Sequence, residues 1–180
     1  MLIGSRRISR TSPCYLIAEA GVNHNGDVSL AHEMVDVAAD AGFDAIKFQT
    51  FVAEDLVSKG APKAEYQLKN TRDKSESQLQ MLSKLALPES AFRALFDHAT
   101  DRQIEFISSP FDLKSAELLA RLGVRAIKVA SGELTNLPFL RHLGEMRIPL
   151  IVSTGMSNIA EVTQAADVLS QAGAEYAFLH

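Results

Sequence analysis

Charged and polar side chains end the first five apolar segments of this 180-residue sequence. The residues concerned are Glu19, Lys47, Gln49, Ser108, Ser109, Lys128, Ser131, Ser153 and Thr154. If the apolar segments are parallel β-strands, their carboxyl ends meet at one edge of the sheet, which is where α/β proteins bind ligands. We therefore expect these side chains to lie around a single site.

The two lysines predict that this site binds a small anion. Side chains alternate along a strand, so Lys47 shares a face with Ala45 and Gln49, and Lys128 shares one with Ala126. In a barrel this face is the interior. Two ammonium groups, several hydroxyls and the backbone amides of "SGE" and "STGM" suit a ligand that carries both phosphate and carboxylate.

A structural role for the same charges is the alternative. In that case Lys47 or Lys128 forms a buried salt bridge with Glu19 or Glu133. Buried ion pairs stabilise a fold only weakly, and this favours the anion site over the purely structural interpretation.

The five histidines differ in what their positions indicate. His24 lies in "GVNHNG", directly after the first strand, where a substrate contact and a loop-structuring role are equally open. His32, His98 and His142 lie in helical segments and are expected to be surface or packing residues. His180 ends a strand, so a role in the site is open for it too.

The elements that position these residues follow from apolar periodicity. Segments with helical spacing separate most of the apolar runs "YLIAEA", "FDAIKFQT", "IEFISS", "RAIKVAS", "PLIVST" and "EYAFLH". This alternation predicts βα units around a parallel sheet. The spacing of the units fits either a doubly wound sheet or a (β/α)8 barrel and does not choose between them.

Two helices have a clear predicted apolar face and a predicted start. The faces consist of Leu30, Met34, Val37 and Ala41 in the first helix, and of Ile159, Val162, Ala166 and Leu169 in the last. Asp27 is expected to cap the first helix, and Asn158 with Glu161 resembles a capping box for the last.

The second and third strands are separated by about twice the usual spacing of a βα repeat. The first part of this connection, "VAEDLVSKGAPKAEYQLKNTRDKSESQ", is polar and charged, and we expect it to be the least ordered region. A helix is predicted to resume near Gln78, and another is predicted over Glu89 to Asp101.

Composition excludes several classes of partner. The formal charge of −4 arises from interspersed acidic and basic residues, so no basic face for nucleic acid or membrane lipid is expected. Cys14 is the single cysteine, which rules out an intrachain disulfide and favours a reducing compartment. Since we find neither a signal peptide nor a run of ~20 apolar residues, we expect a cytoplasmic protein.

Five ordered motifs resemble one enzyme family. "IAEAGVNHNGD", "AIKFQTF", "SSPFD", "IKVASGE" and "LIVSTGM" are similar to the sialic acid (N-acetylneuraminate) synthase family, in its bacterial form. The resemblance implies that residues 1–180 are the N-terminal part of a TIM barrel, a (β/α)8 fold, and cover about its first six βα units. It also implies further strands, a C-terminal antifreeze-like domain and a homodimer, all of which involve sequence beyond His180.

The resemblance implies a role for each strand-end residue. The positions that match phosphoenolpyruvate-binding residues are Lys47, Ser109, Lys128, Ser131 and Ser153. Glu19 and Gln49 match sugar-contacting positions, where His24 is a further candidate, and Glu133 matches the acidic residue beside the reacting centre. Glu19 and Glu133 are thus the expected catalytic carboxylates. The stretch "KGAPKAEYQ" is expected to contribute to the sugar site.

The reaction that the resemblance implies joins phosphoenolpyruvate to an N-acetylated sugar aldehyde, such as N-acetylmannosamine or a related bacterial sugar. The products are a nonulosonic acid and phosphate. The family's divalent metal, Mn²⁺ or Mg²⁺, is implied for the full-length protein, with its histidine ligands on later strands and none in this chain.

Two other functions remain open from the sequence. An interior lysine is also what a Schiff-base aldolase on the same barrel needs. The third possibility is an incomplete barrel that binds anions without catalysis, because missing strands leave open sheet edges.

Overall fold

The computed structural model describes residues 1–58 and 77–180 and shows a parallel sheet with helices between its strands. A short hairpin at the N-terminus pairs β1 (Leu2–Ile3) with β2 (Arg6–Arg7) in antiparallel register. The main sheet contains β3 (Ile17–Gly21), β4 (Ala45–Thr50), β5 (Glu105–Pro110), β6 (Ile127–Val129), β7 (Leu150–Ser153) and β8 (Tyr176–Leu179).

Helices connect each strand of the main sheet to the next. They are α1 (Val28–Asp40), α2 (Ala53–Leu56), α3 (Gln78–Leu85), α4 (Glu89–Asp101), α5 (Leu113–Leu122), α6 (Leu137–Glu145) and α7 (Ile159–Gln171), with a 3₁₀ turn at Ser131–Glu133. Among the described residues, no helix is both long and apolar enough to span a lipid bilayer.

Strand order decides between the two folds that the sequence left open. All neighbours in the main sheet are parallel, and their order is β3-β4-β5-β6-β7-β8, the same as along the chain. A doubly wound sheet reverses its order at a switch point, whereas a barrel adds each strand beside the previous one. The predicted (β/α)8 class is therefore confirmed, and the chain supplies six strands of such a barrel.

The two faces of the sheet bury different clusters. The helix-facing cluster is large and includes Ile46, Phe48 and Phe106. The opposite face buries a small cluster made of Ile3, Ala45, Ile107, Ala126 and Ile151. Because Ile3 belongs to β1, the N-terminal hairpin covers the amino-end half of this inner face, and the carboxyl-end half remains for polar residues.

Both predicted helix starts are confirmed. The Asp27 carboxylate accepts hydrogen bonds from the backbone N–H groups of Ser29 and Leu30 at the start of α1. Asn158 and Glu161 form the predicted capping box of α7. These contacts satisfy N–H groups that have no partner within a helix.

The predicted apolar faces of the first and last helices are partly wrong. Helix α1 buries Ala31, Val35 and Ala38, while Val37 is 68% exposed. In α7 the buried residues are Ala165 and Leu169, and Ile159 is 81% exposed. The buried residues of α1 each lie one position after a residue of the predicted stripe, so the face that contacts the sheet is rotated from the predicted one.

The connection between β4 and β5 contains the two helices predicted for it. Helix α3 begins at Gln78, and α4 covers Glu89–Asp101. Most of the stretch predicted to be least ordered, including the "KGAPKAEYQ" sugar-site candidate at 59–67, lies outside the described residues.

Candidate active site

The carboxyl ends of the strands bring the predicted lysines close together on the inner face of the sheet, where the charge of Lys47 acts on Lys128. Lys47 on β4 and Lys128 on β6 are each 8% exposed. Ser109 is buried on β5, where it pairs in register with Gln49. These residues have the same strand parity as the inner apolar cluster, so the predicted inward direction of both lysines is confirmed.

Lys47 forms an ion pair with Glu19. Its Nζ lies 2.8 Å from Glu19 Oε1, and the two residues are partners in the register of β3 and β4. The pair anticipated as the structural alternative therefore exists. It is not fully buried, because the Glu19 side chain is 57% exposed while that of Lys47 is 10% exposed. An incoming anion would compete with Glu19 for Lys47.

Lys128 has no carboxylate among its hydrogen-bond acceptors in the described part of the chain. Its Nζ donates to Ser153 Oγ at 2.6 Å and to the backbone carbonyl of Val129 at 2.7 Å. Burial and, to a smaller extent, the charge of Lys47 lower the pKa of Lys128 to about 8, and Glu19 opposes the shift. This part of the inner face therefore holds more positive charge than Glu19 balances, which is the electrostatic condition for binding an anion.

The loops after β6 and β7 pack closely at the same edge. A Cβ atom at Gly155 would lie 3.5 Å from Ser131 Oγ, so this glycine brings its backbone close to the predicted phosphoenolpyruvate contact. Ser131 begins the 3₁₀ turn that ends at Glu133. Lys128 and Ser153 are joined directly by their hydrogen bond. Three of the predicted anion contacts thus come from two adjacent strand ends.

Asn136 holds the Glu133 carboxylate. Its Nδ2 donates to Glu133 Oε2 at 2.8 Å, and its Oδ1 caps the start of α6 by accepting from the N–H of Phe139. The described contact of Glu133 is thus with an amide rather than with either lysine. A carboxylate held in this way keeps a second oxygen free for exchange of a proton or a hydroxyl contact.

Glu19 and Gln49 adjoin each other across Gly21. A Cβ atom at Gly21, whose φ is +54°, would lie 3.1 Å from Glu19 Oε1 and 3.8 Å from Gln49 Nε2. A carboxylate and an amide side by side suit the hydroxyl and amide groups of a sugar. The structure therefore brings the two predicted sugar contacts together on β3 and β4.

His24 lies away from this pair. It is 1% exposed, its Nδ1 accepts a hydrogen bond from the N–H of Gly26 at 3.1 Å, and its ring centroid lies 6.1 Å from that of Phe48 in the helix-facing core. Burial lowers the pKa of His24, so the ring is kept neutral. These contacts are those of the loop-structuring alternative, and the sugar contact stays a prediction.

A metal site is not formed by the residues that the structure describes. Within 1–58 and 77–180, no three His, Cys, Asp or Glu side chains are grouped so that they could hold a metal ion. The residues present do not fit the divalent metal that the resemblance implies, and we derive no chemical step through it.

Sequence reasoning missed Asp112, which follows the end of β5. Its carboxylate accepts three hydrogen bonds, from the N–H of Val52, the N–H of Ser115 and the Oγ of Ser115. An Asp three residues before a Ser, at the start of an apolar helix, indicates an N-cap. No sequence signal indicates the contact with Val52, because the two residues are 60 positions apart.

The fold is of the (β/α)8 type, and the carboxyl ends of β4, β5, β6 and β7 carry two buried lysines and several hydroxyl groups. Residues 34–180 match the NeuB family. The chain belongs to this family, which confirms the resemblance to sialic acid synthases.

Curated relatives of the chain include two N,N'-diacetyllegionaminic acid synthases. The protein from Campylobacter jejuni is 49% identical over 160 residues, which are 89% of this chain and 48% of that protein. The protein from Legionella pneumophila is 49% identical over 156 residues, covering 87% of this chain and 44% of that protein. The chain therefore spans about half the length of the curated relatives it matches.

A solved structure agrees with the fold over the whole chain. The crystal structure of N-acetylneuraminic acid (sialic acid) synthetase from Leptospira borgpetersenii, in complex with citrate, superposes with a TM-score of 0.87 at 27% sequence identity. The alignment covers 100% of this chain and 58% of that one.

Proposed function

We propose that the protein expressed from the complete gene condenses phosphoenolpyruvate with an N-acetylated sugar aldehyde to give a nonulosonic acid and phosphate. The observation that carries this proposal is the pair of buried lysines on the inner face; within residues 1–58 and 77–180, Lys128 donates to Ser153 and to no carboxylate. The names of the family's relatives, which are synthases of nine-carbon sugar acids, support the same reaction.

The proposed phosphoenolpyruvate site consists of the residues at four neighbouring strand ends, namely Lys47, Ser109, Lys128, Ser131 and Ser153. The lysines hold the negative charge of the phosphate and the carboxylate, and the hydroxyls donate to their oxygens. Citrate, a small polyanion named with the Leptospira synthetase, has the same ligand chemistry. In this arrangement the lysines act as cations and form no covalent bond.

The proposed acceptor site lies beside it, around Glu19 and Gln49. A new bond joins C3 of phosphoenolpyruvate to the aldehyde carbon, water adds at C2, and the C–O bond to phosphate breaks. One water is consumed and one phosphate is released. We assign to Glu133, which Asn136 holds by a hydrogen bond, the transfer of the proton that these steps require. Through its hydrogen bond with Gly26, His24 shapes the loop that follows β3.

The acceptor we favour is a six-carbon sugar with two N-acetyl groups. Removing the three carbons of phosphoenolpyruvate from a nine-carbon diacetylated product leaves such a sugar, and N,N'-diacetyllegionaminic acid is the product named for both 49% relatives. N-acetylmannosamine is the alternative acceptor. The homodimer and the Mn²⁺ or Mg²⁺ ion implied by the resemblance are further proposals for the full-length protein.

The test is phosphate release by the protein expressed from the complete gene, with phosphoenolpyruvate and each acceptor in turn. We expect release that depends on the acceptor and is higher with the diacetylated sugar. Omission of the acceptor is the control for simple hydrolysis. Release that is equal with and without any acceptor would contradict the proposal.

One observation favours a second candidate, a Schiff-base aldolase. With a pKa of about 8, Lys128 is neutral far more often than an ordinary lysine, and a neutral amine is the nucleophile that imine formation needs. Borohydride reduction in the presence of pyruvate separates the candidates. A covalent adduct on Lys128 would favour the aldolase, and its absence alongside phosphate release would favour the synthase.

A further inference from the structure

We propose that Asp112 is a positioning residue that ties the loop after β4 to the loop after β5 and thereby fixes the acceptor side of the site. The inference rests on the proposed function. It arises from the hydrogen bonds of one carboxylate whose two oxygens serve two different parts of the chain.

One oxygen of Asp112 performs an ordinary helix cap. Asp112 Oδ1 accepts from the N–H of Ser115 at 2.7 Å at the start of α5. Serine or asparagine would serve nearly as well in that role. Capping alone therefore does not require the full carboxylate.

The second oxygen reaches another loop. Asp112 Oδ2 accepts from the N–H of Val52 at 2.9 Å and from Ser115 Oγ at 2.7 Å. Val52 is the first residue before α2, a helix that has no side-chain cap of its own. Hydrogen bonds from neutral donors to a charged acceptor are stronger than neutral pairs, so this contact fixes the start of α2 against α5.

The contact lies where the strand ladder between β4 and β5 ends. The last paired residues are Thr50 and Pro110, and Pro110 has no N–H to donate. The N–H of Phe111 still donates to Thr50 O at 3.2 Å, and beyond this point Asp112 is the next link. A second link, from Lys114 Nζ to Asp55 Oδ2 at 2.6 Å, is largely exposed and therefore contributes little.

The link lies close to one acceptor contact and one anion contact. Gln49, an acceptor contact, and Ser109, one of the five proposed anion contacts, are register partners on β4 and β5, and each lies three positions before a residue that the link joins. The other anion contacts are mostly on β6 and β7, where Lys128 and Ser153 make no hydrogen bond to Asp112 among the described residues. Loss of the link is therefore expected to disturb acceptor binding through Gln49 more than phosphoenolpyruvate binding, which keeps most of its contacts.

The test compares Asp112→Ser with Asp27→Ser in the protein expressed from the complete gene. Serine still caps a helix, but its single short oxygen cannot also reach Val52. Asp27 is the matched control, because it caps α1 through Ser29 and Leu30 and its described hydrogen bonds go to no other loop. Ser115→Ala, which removes one hydroxyl contact, serves if Asp112→Ser fails to fold.

We expect Asp112→Ser to lower kcat/KM for the acceptor about tenfold to a hundredfold, the effect of misplacing a bound group by about 1 Å. The KM for phosphoenolpyruvate should change far less, and Asp27→Ser should leave both constants near the wild-type values. For Ser115→Ala we expect a smaller loss in the same constant.

The inference is overturned if Asp112→Ser, Asp27→Ser and the wild type have equal kinetic constants. It is also overturned if Asp112→Ser lowers the melting temperature but leaves kcat and both KM values unchanged. If the wild-type protein itself releases no phosphate, the proposed function fails and the inference fails with it. An active wild type with an unaffected Asp112→Ser variant overturns the inference alone.

Discussion

At the scale of single residues, Lys128 combines a favourable role in binding with an unfavourable effect on folding. The folded chain lowers the pKa of Lys128 from 10.5 to about 8, so the unfolded chain binds this proton more tightly. Below pH 8 the buried ammonium group therefore opposes folding, and this penalty fades as the pH rises from about 8 to 10.5. A lysine with a purely structural role would gain nothing from a buried ammonium group that opposes folding.

The variant Lys128→Met separates the two effects. We expect it to weaken phosphoenolpyruvate binding by about 2–5 kcal/mol, because a desolvated anion loses a charged partner. At pH 7 we expect the free energy of unfolding to stay level or to rise by about 1–4 kcal/mol. Calorimetric titration measures the binding, and urea denaturation measures the stability.

The control for that variant is Lys114→Met, which removes an exposed lysine that is not among the proposed anion contacts. It should change stability by less than about 1 kcal/mol and leave binding intact. Lower stability together with unchanged binding in Lys128→Met would contradict the anion site.

Glu19 should set the upper pH limit of anion binding. Because its carboxylate raises the pKa of Lys128, Glu19→Gln is expected to make Lys128 lose its proton at a lower pH. Phosphoenolpyruvate affinity should then decline at a lower pH than in the wild type, and turnover should fall because the proposed acceptor contact changes. The measurement is the dissociation constant between about pH 6 and pH 9.

Glu145→Gln on the exposed part of α6 is the matched control for Glu19→Gln. If both variants and the wild type share the same pH dependence of binding, Glu19 does not act on the lysines. A lower melting temperature with unaltered turnover would make Glu19 structural.

The sequence predicted the direction of these side chains but left open which lysine pairs with which carboxylate. Lys47 and Lys128 could be placed inside the barrel because alternation along a strand is a local property. The pairing of Lys47 with Glu19 depends on the register of two strands, and the second contact of Asp112 joins residues 60 positions apart. Contacts between residues so far apart in the sequence depend on tertiary packing, which the local sequence pattern does not encode.

At the scale of elements, α1 shows why an apolar stripe can mislead. The predicted stripe, Leu30, Met34 and Val37, is more hydrophobic than the neighbouring Ala31 and Val35. The buried contact is nevertheless formed by Ala31 and Val35. Helix starts were predicted correctly, since Asp27 and Asn158 act within their own helical turn. The buried face depends instead on how closely the helix approaches the sheet.

A pair of histidines joins α1 to α4. His32 Nδ1 and His98 Nδ1 lie 2.7 Å apart, so one must donate and the other must accept. His98 Nε2 is 3.1 Å from Asp36, which also contacts Arg102, and Arg102 contacts Asp40. Burial lowers the pKa of His32, as does His98, while Asp36 opposes the shift. Protonation of both rings would abolish the hydrogen bond.

We therefore expect stability to fall in mild acid through His32. Its pKa is lower in the folded chain than the ordinary value of 6.5, so the full contribution is present above pH 6.5 and is lost as the pH falls through the folded pKa. In His32→Gln the stability difference between about pH 7.5 and pH 5.5 should be smaller than in the wild type. Urea denaturation at each pH measures it.

His180→Gln, at an exposed position, is the control for the histidine pair. It should keep the acid sensitivity of the wild type. The same loss of stability in mild acid for the wild type and for His32→Gln would show that the pair does not control it.

At the scale of the whole molecule, the order of the strands is the feature that spacing could not predict. Repeats of similar length build both a doubly wound sheet and a barrel, and the choice depends on which side of the sheet each new strand joins. The five strand-end motifs predicted the barrel because they carry the family's pattern. Within the described residues, β3 pairs only with β4 and β8 only with β7, so both edges of the sheet are open.

An apolar groove of about 310 Å³ lies beside the open edge at β3. Residues of the groove include Ala18, Leu30, Met34, Val37 and Phe43. Exposed apolar surface of this kind marks a contact with another part of the same protein or with a partner. Since the curated relatives are about twice as long as this chain, we expect later residues of the complete protein to cover the groove.

The last prediction tests whether later residues cover the groove. It compares the effect of Val37→Asp in the 180-residue chain with its effect in the protein from the complete gene. In the 180-residue chain Val37 is 68% exposed, so the variant should change the free energy of unfolding by less than about 1 kcal/mol. In the protein from the complete gene, a carboxylate would be buried without a partner, and the loss should be about 2 kcal/mol or more. Ala94→Asp, on the exposed side of α4, controls for helix propensity and should have the same small effect in both proteins. Urea denaturation gives the four values, and an equally small effect of Val37→Asp in both contexts would mean that the groove stays open to solvent.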